Sequence, residues 1–275
     1  MYGYNPPPKF VRKKVLPKTK IKQSFAVASS SYDSAALLQR NVGINLLQRV
    51  GNIGQVDTVV DLGCGTGFLV TEILRQKICL PQQIIALDIA LPMLQIARNK
   101  LNNNKNITYL CADAEYLPLQ PQSVDLVISN LAFQWCDNLE KTFADIKRIL
   151  KPEGQLYFTT FGAHTLRELK SAWQQVDDYN HVNSFHNPAQ LQNFLQQAGF
   201  HEFELEIRSY TSTYVSVLDL MAELKQLGAH TVMAGCNKQF TSRSAMQRMI
   251  SAYQQQEENG RIPATFEVIM VAVRV

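Results

Sequence analysis

The 275-residue chain is short of charge, of paired cysteines and of long apolar runs. Charged residues make up only 18% of it against 46% apolar, a balance that excludes a charge-rich disordered chain and fits a soluble globular protein. No eighteen consecutive apolar residues occur, so no membrane span is expected. The basic start lacks the apolar core of a secretory signal. Cys64, Cys79, Cys111, Cys136 and Cys236 are odd in number, scattered and never in C-x-x-C spacing. That excludes a disulfide framework and a zinc site, and fits reduced thiols in the cytoplasm with no bound metal. Acids are missing before Ser24, where Lys9, Arg12, Lys13, Lys14, Lys18, Lys20 and Lys22 stand. Those seven charges leave −3 for the rest of a chain whose net is +4, so the basicity belongs to the tail. With Pro6-Pro7-Pro8, residues 1–22 read as a flexible basic arm, either solubilising or a contact for an acidic protein, nucleic acid or anionic lipid.

What the chain does have is one informative stretch, Val59-Val60-Asp61-Leu62-Gly63-Cys64-Gly65-Thr66-Gly67-Phe68-Leu69. An apolar run ends in an acid, turns through three glycines and re-enters an apolar pattern, which is a buried strand, a tight loop and a helix start. A second apolar run, Ile84 to Leu87, also ends in an acid, Asp88, at the distance of a ribose-binding carboxylate. A dinucleotide site has G-x-G-x-x-G facing a pyrophosphate. Here the loop is D-x-G-x-G-x-G, and Asp61 repels a pyrophosphate but suits an ammonium group. S-adenosyl-L-methionine carries that group with a ribose diol and no phosphate. The stretch resembles motif I of class I methyltransferases that use it.

The rest of the chain fits such a fold. Strands are expected near 57–62, 84–88, 107–111, 124–130 and 154–161, with helices near 67–77, 92–102 and 138–150, the last stopped by Gly154. This alternation gives an α/β doubly wound, mostly parallel, Rossmann-like sheet, seven-stranded once strands near 201–214 and 265–274 are added. Residues 23–275 read as one domain, with a helical insertion at about 215–258 placed to act as a lid.

Ligands of such sheets bind at the carboxyl ends of strands. Asp61, Asp88, Asp113 and Asn130 all fall there. Asp88 is expected to accept from the ribose hydroxyls, with Ile89 and Met93 flanking the adenine. Asp113, beside Ala114, either accepts from the adenine amino group or caps a helix. Gly63, Gly65 and Gly67 let the cofactor approach, while Tyr32 and Gln39, on helical sequence before the first strand, close over it. The Asn/Asp-Pro-Pro-Tyr/Phe sequence common in amino-group methyltransferases is absent after strand four, which argues against N-methylation of nucleic acid or protein.

More selective stretches lie elsewhere: Ser129-Asn-Leu-Ala-Phe-Gln-Trp-Cys-Asp-Asn-Leu139, Thr165-Leu166-x-Glu168-Leu169, Ala172-Trp173-x-x-Val176-Asp177, His181-x-Asn183-x-Phe185, Leu224-Lys225-x-x-Gly228-Ala229 and Thr241-x-Arg243-Ser244-x-x-Gln247-Arg248. Over residues 24–275 these resemble the malonyl-[acyl-carrier protein] O-methyltransferases of biotin synthesis. The resemblance implies esterification of a malonyl carboxylate on an acyl-carrier protein, with S-adenosyl-L-methionine as cofactor. It also implies Phe133, Trp135 and Tyr32 as positioning walls. A carboxylate is ionised at neutral pH, so no general base is needed, in keeping with the lack of an evident His/Asp catalytic pair. Selection of malonyl over acetyl calls for a cation, with Arg243 first, then Lys225 and Arg248, and with His181 and His164 as further candidates. Methylation of another small acid or a quinone, or a non-catalytic cofactor-binding subunit, stays open at this point.

Overall fold

The computed structural model describes residues 18–102, 104–229 and 241–275. Its centre is a seven-stranded sheet in the order β3-β2-β1-β4-β5-β7-β6. The strands are β1 Gly54–Leu62, β2 Cys79–Asp88, β3 Ile107–Cys111, β4 Val124–Asn130, β5 Leu150–Phe161, β6 Glu202–Tyr214 and β7 Ile262–Arg274. The first five run parallel, and β7 inserts antiparallel between β5 and β6. Strand order reverses between β1 and β4, so a crevice opens at the carboxyl ends there.

The helices are α1 Lys18–Ala28, α2 Tyr32–Ala35, α3 Leu37–Val50, α4 Phe68–Gln76, α5 Leu91–Lys100, α6 Leu139–Ile149, α7 Arg167–Gln174, α8 Pro188–Gln197, α9 Val217–Gln226 and α10 Arg243–Gln254. Both faces of the parallel strands are buried, which is why they read as unbroken apolar runs. Ile85 and Leu87 of β2 face the α6/α8 side, among Phe143, Ile146, Leu191 and Leu195. Ile84 and Ala86 face the other side, among Leu46, Val70, Ile73 and Leu94 of α3, α4 and α5. A third apolar cluster gathers α7, α9 and α10 through Trp173, Leu220, Met249 and Tyr253, beyond the C-terminal end of β5 and against β7. Among the described residues no helix is long and apolar enough to cross a membrane.

Two boundaries differ from expectation. Helix α6 ends at Ile149, and β5 begins at once at Leu150; the turn inside the strand is made by Glu153 at φ +63°, so Gly154 stops no helix. Helix α1 begins at Lys18, within the stretch read as an arm. Burial of Ile21, 2% exposed, and two carboxylates facing Lys18 hold it to the domain. Residues 1–17 lie outside the described part, as does Cys236.

Candidate active site

The loop after β1 is shaped by its backbone. Gly63 and Cys64 N–H groups both donate to the Leu87 carbonyl of β2, at 2.8 and 3.0 Å. Gly63 has φ +72°, and a Cβ there would stand 2.4 Å from the Ala132 Cβ, so the position admits only glycine. At Gly65, φ +52°, a Cβ would meet nothing within 4 Å, because the residue borders the open cleft. Gly67 differs from expectation: it lines no part of the cleft, and its Cβ would press on Ala97 at 3.0 Å. It is glycine so that α4 can start against α5.

The two strand-end acids are used differently. Asp88 accepts from Gly65 N–H at 2.9 Å and from Ala90 N–H at 2.8 Å, which fixes the glycine loop over β2. Burial still raises its pKa, against the pull of those backbone bonds. Asp61 is 1% exposed, and neither carboxylate oxygen has a partner among the described residues. Burial and then the nearby Asp88 push its carboxyl up to about 8. A buried carboxylate left so is costly unless a cation comes to it. It borders a recess of about 420 Å³ shared with Tyr32, Asp33, Gln39, Thr66 and Asn130.

That recess adjoins a cleft of about 690 Å³, with Tyr32, Gly63, Gly65 and Asn130 lining both. Asp88, Ile89, Met93, Asp113 and Ala114 line the far end as expected, and Asp113 also accepts from Glu115 N–H at 3.1 Å. The site thus offers an anionic pocket for an ammonium group, a carboxylate for a diol and an apolar slot for a flat ring. S-adenosyl-L-methionine meets all three demands. Asn130 is a brace: its amide donates to the Gln39 carbonyl at 2.8 Å, and its oxygen accepts from Thr159 Oγ1 at 2.7 Å.

Two functional residues escaped sequence reasoning. Lys18 of α1 reaches over the cleft to Glu115 at 2.8 Å and to Asp113 and the Trp135 carbonyl at 3.3 Å each. Burial lowers its pKa, but Cys136, Glu115 and Asp113 reverse this and raise it. Phe25 of the same helix packs edge-on against Trp135, with centroids 5.3 Å apart. Asp33 accepts from Thr66 Oγ1 at 2.8 Å and pairs with Arg40 and Lys100, tying α2 to the glycine loop, α3 and α5. Lys18 was hidden in a basic run. Asp33 did leave a signal, being the first acid in the chain.

Beyond Trp135 lies a second cavity of about 1090 Å³, walled mainly by apolar side chains, among them Leu169 and Trp173 of α7, Met221 and Leu224 of α9 and Met246 of α10. Trp135 borders both cavities, and Gln39 borders this one and the Asp61 recess. His181 lines it, stacked on Trp173 at 3.6 Å with its Nε2 2.8 Å from Asp177. The other expected substrate residues do not converge there. Lys225, Arg243 and Arg248 are exposed on α9 and α10, and His164 pairs with Glu267 at 2.7 Å outside the cavity. Phe133 is not a cavity wall either: it is fully buried between Phe143 and Phe158, at 5.5 and 5.0 Å, because the turn that presents Trp135 points it into the core.

Comparison with known proteins bears on this geometry. Residues 60–158 match the family model described as a methyltransferase domain. The chain is 37% identical over 262 residues to the malonyl-[acyl-carrier protein] O-methyltransferase of Gallionella capsiferriformans, covering 93% of this chain and 90% of that protein. It is 39% identical over 252 residues to the biotin biosynthesis bifunctional protein BioHC of Cellvibrio japonicus, covering 91% of this chain and 49% of that one. Among solved structures, phosphoethanolamine N-methyltransferase 2 of Haemonchus contortus, in complex with S-adenosyl-L-methionine, has a TM-score of 0.57 at 20% identity, covering 90% of this chain and 57% of that one. This last likeness is one of fold.

Proposed function

The chain belongs to the malonyl-[acyl-carrier protein] O-methyltransferase family, and from that premise we propose that it esterifies the free carboxylate of a malonyl group on an acyl-carrier protein, in biotin synthesis. The observation that carries the reading is the unpartnered Asp61 carboxylate in a recess adjoining a cleft that meets an apolar cavity at Trp135. Asp61 takes the ammonium group of S-adenosyl-L-methionine, Asp88 the ribose diol, and Ile89, Met93 and Ala114 enclose the adenine beside Asp113. The cofactor supplies a methyl group on a sulfonium, which a carboxylate oxygen accepts without first losing a proton.

The protein's own share is therefore positioning and exclusion of water. Trp135 walls the meeting point of the two cavities, Tyr32 stands where the cleft adjoins the Asp61 recess, and α1 covers the cleft through Lys18 and Phe25. Helices α9 and α10 form a lid on the acyl side, with exposed Lys225, Arg243 and Arg248 free to meet an acidic carrier, which the arm before Lys18 helps to steer. A cytoplasmic setting fits four described cysteines that are all unpaired thiols.

The test is transfer of labelled methyl from S-adenosyl-L-methionine to malonyl-loaded carrier protein, with acetyl-loaded carrier in parallel. Transfer of label from the cofactor into a base-labile methyl ester on the malonyl carrier alone is expected. At saturating cofactor, turnover should be level with pH above the carboxylate range, since no proton is removed. Cofactor binding without transfer to either carrier overturns the proposal.

A further inference from the structure

The cavity that receives the acyl group has no basic side chain of the lysine or arginine kind among its described lining residues. His181 is engaged by Asp177 and stacked on Trp173, and the one acid, Glu223, accepts from Tyr214 OH at 2.8 Å. The cations on α9 and α10 are exposed. Where the cavity meets the cofactor site stand two neutral donors instead. The Gln39 carboxamide has a buried oxygen with no partner, and its amino group makes no hydrogen bond among the described residues. The Trp135 indole N–H likewise has no acceptor there, though its ring borders both cavities. Both residues are pinned by their main chains: the Gln39 carbonyl by Asn130, the Trp135 carbonyl by Lys18.

We infer that the acceptor carboxylate is oriented by these neutral donors, Gln39 and Trp135, and not by the exposed cations of α9 and α10. The inference rests on the reaction proposed above and adds how its substrate is read. In that reaction a negative carboxylate becomes a neutral ester. A fixed cation holds the charged ground state more tightly than the transition state, in which the charge is already falling, and so raises the barrier. Amide and indole N–H groups orient a carboxylate with less loss as its charge falls, because they remain hydrogen bonded to the oxygen that does not react. The only full positive charge then needed near that oxygen is the one brought with the methyl group. Discrimination against acetyl follows: without a carboxylate neither donor meets its acceptor, and there is no nucleophile.

The experiment compares the full-length chain with Gln39→Leu, Trp135→Phe, Lys225→Ala and Arg243→Ala. It measures cofactor Kd by calorimetry, KM for malonyl-carrier, and Ki for the methyl-ester product on the same carrier. Gln39→Leu and Trp135→Phe should each raise KM about tenfold, the worth of one hydrogen bond to a charged group, with ester Ki raised by a clearly smaller factor and cofactor Kd within about twofold. Lys225→Ala and Arg243→Ala should weaken malonyl-carrier and ester-carrier together, leaving the ratio of KM to Ki as it was. A structural defect would move KM and Ki alike, and Trp135→Phe, which keeps the ring, guards against misfolding. The inference is overturned if Arg243→Ala or Lys225→Ala alters that ratio and Gln39→Leu does not. It is also overturned if the Gln39 and Trp135 variants lose cofactor affinity instead. Failure of the unmodified chain to methylate malonyl-carrier overturns the proposed function, and this inference with it.

Discussion

Asp61 and Asp88 end neighbouring parallel strands, yet their carboxylates live in opposite states. Asp88 is satisfied by two backbone N–H groups, that of Gly65 in the glycine loop and that of Ala90 just before α5, and Asp61, 1% exposed, is satisfied by none among the described residues. One is fixed within the loop, and the other is left for the ammonium group in the function proposed above. The fold can bear this because Asp61 takes up a proton when nothing is bound, its carboxyl being pushed up to about 8 by burial and by Asp88.

That protonation links cofactor binding to pH. An ammonium ligand favours ionised Asp61, so binding below about pH 8 must release a proton. Affinity for S-adenosyl-L-methionine should therefore tighten from pH 6 to 8, approaching tenfold per unit. Calorimetry in buffers of different ionisation enthalpy reads the released proton, and Asp61→Asn should abolish the slope while weakening binding. For the ligand-free chain the sign is opposite. A carboxyl with a raised folded pKa contributes stability that is full below its unfolded value near 4 and is lost as pH rises to about 8. Unfolding midpoints of the ligand-free chain should fall over that interval, and less steeply in Asp61→Asn.

The loop glycines separate folding from binding. Gly63→Ala adds a methyl 2.4 Å from Ala132 at φ +72°, and should cost roughly 2–4 kcal/mol by overpacking and backbone strain. Gly65→Ala meets no protein atom within 4 Å and bears only the strain of φ +52°, about 1 kcal/mol. Its methyl stands in the cleft. Denaturant titration should find Gly63→Ala the less stable variant, while Gly65→Ala stays folded and loses most of its cofactor affinity.

Lys18 gives a third expectation. Deleting residues 1–17 should leave cofactor Kd within about twofold, whereas Lys18→Met should raise it about fivefold, the worth of a half-buried ion pair near 1 kcal/mol. Equal effects from the two changes would mean that the ion pairs with Asp113 and Glu115 do not hold α1 over the cleft.

Lys18 also marks where the sequence was hard to read. The parallel strands, the glycine loop and the strand-end acids were legible because burial on both faces and positive φ leave strong local patterns. The expectation at Asp61 rests on charge alone. Long-range partners leave no such trace: Lys18 looks like its neighbours in a basic run until Asp113 and Glu115, about ninety-five residues away, are folded beside it. Phe133 and Trp135 are two apart on one short turn, and only the fold decides that one enters the core and the other the cleft. Gly67 has the positive φ of a loop glycine, but its need comes from Ala97 on α5. The cations Arg243, Lys225 and Arg248 were read as site residues from their chemistry, whereas exposure is a property of helix orientation.

Asp33 should control how long the cofactor stays. Its carboxylate joins Thr66 of the glycine loop to Lys100 of α5, and its carbonyl accepts from Arg40 at 2.7 Å, so α2 is fastened directly over the ammonium recess. Burial works to raise its pKa, but Lys100, Thr66 and Arg40 hold it below the usual carboxylate value. A depressed pKa contributes stability present above the unfolded value near 4 and lost as pH falls through the folded one, so the fastening is complete at neutral pH. The carboxylate is a third exposed, and its loss should change global stability by less than about 1 kcal/mol. Local opening should change far more. In Asp33→Ala, hydrogen exchange across residues 32–40 should quicken and cofactor dissociation should speed up several-fold at pH 7, with the unfolding midpoint nearly constant. In the unmodified chain, dissociation should accelerate as pH falls below 4. Asp33→Ala should already be fast at pH 7 and gain little from acid. If acid accelerates both proteins equally, the fastening lies elsewhere than at Asp33.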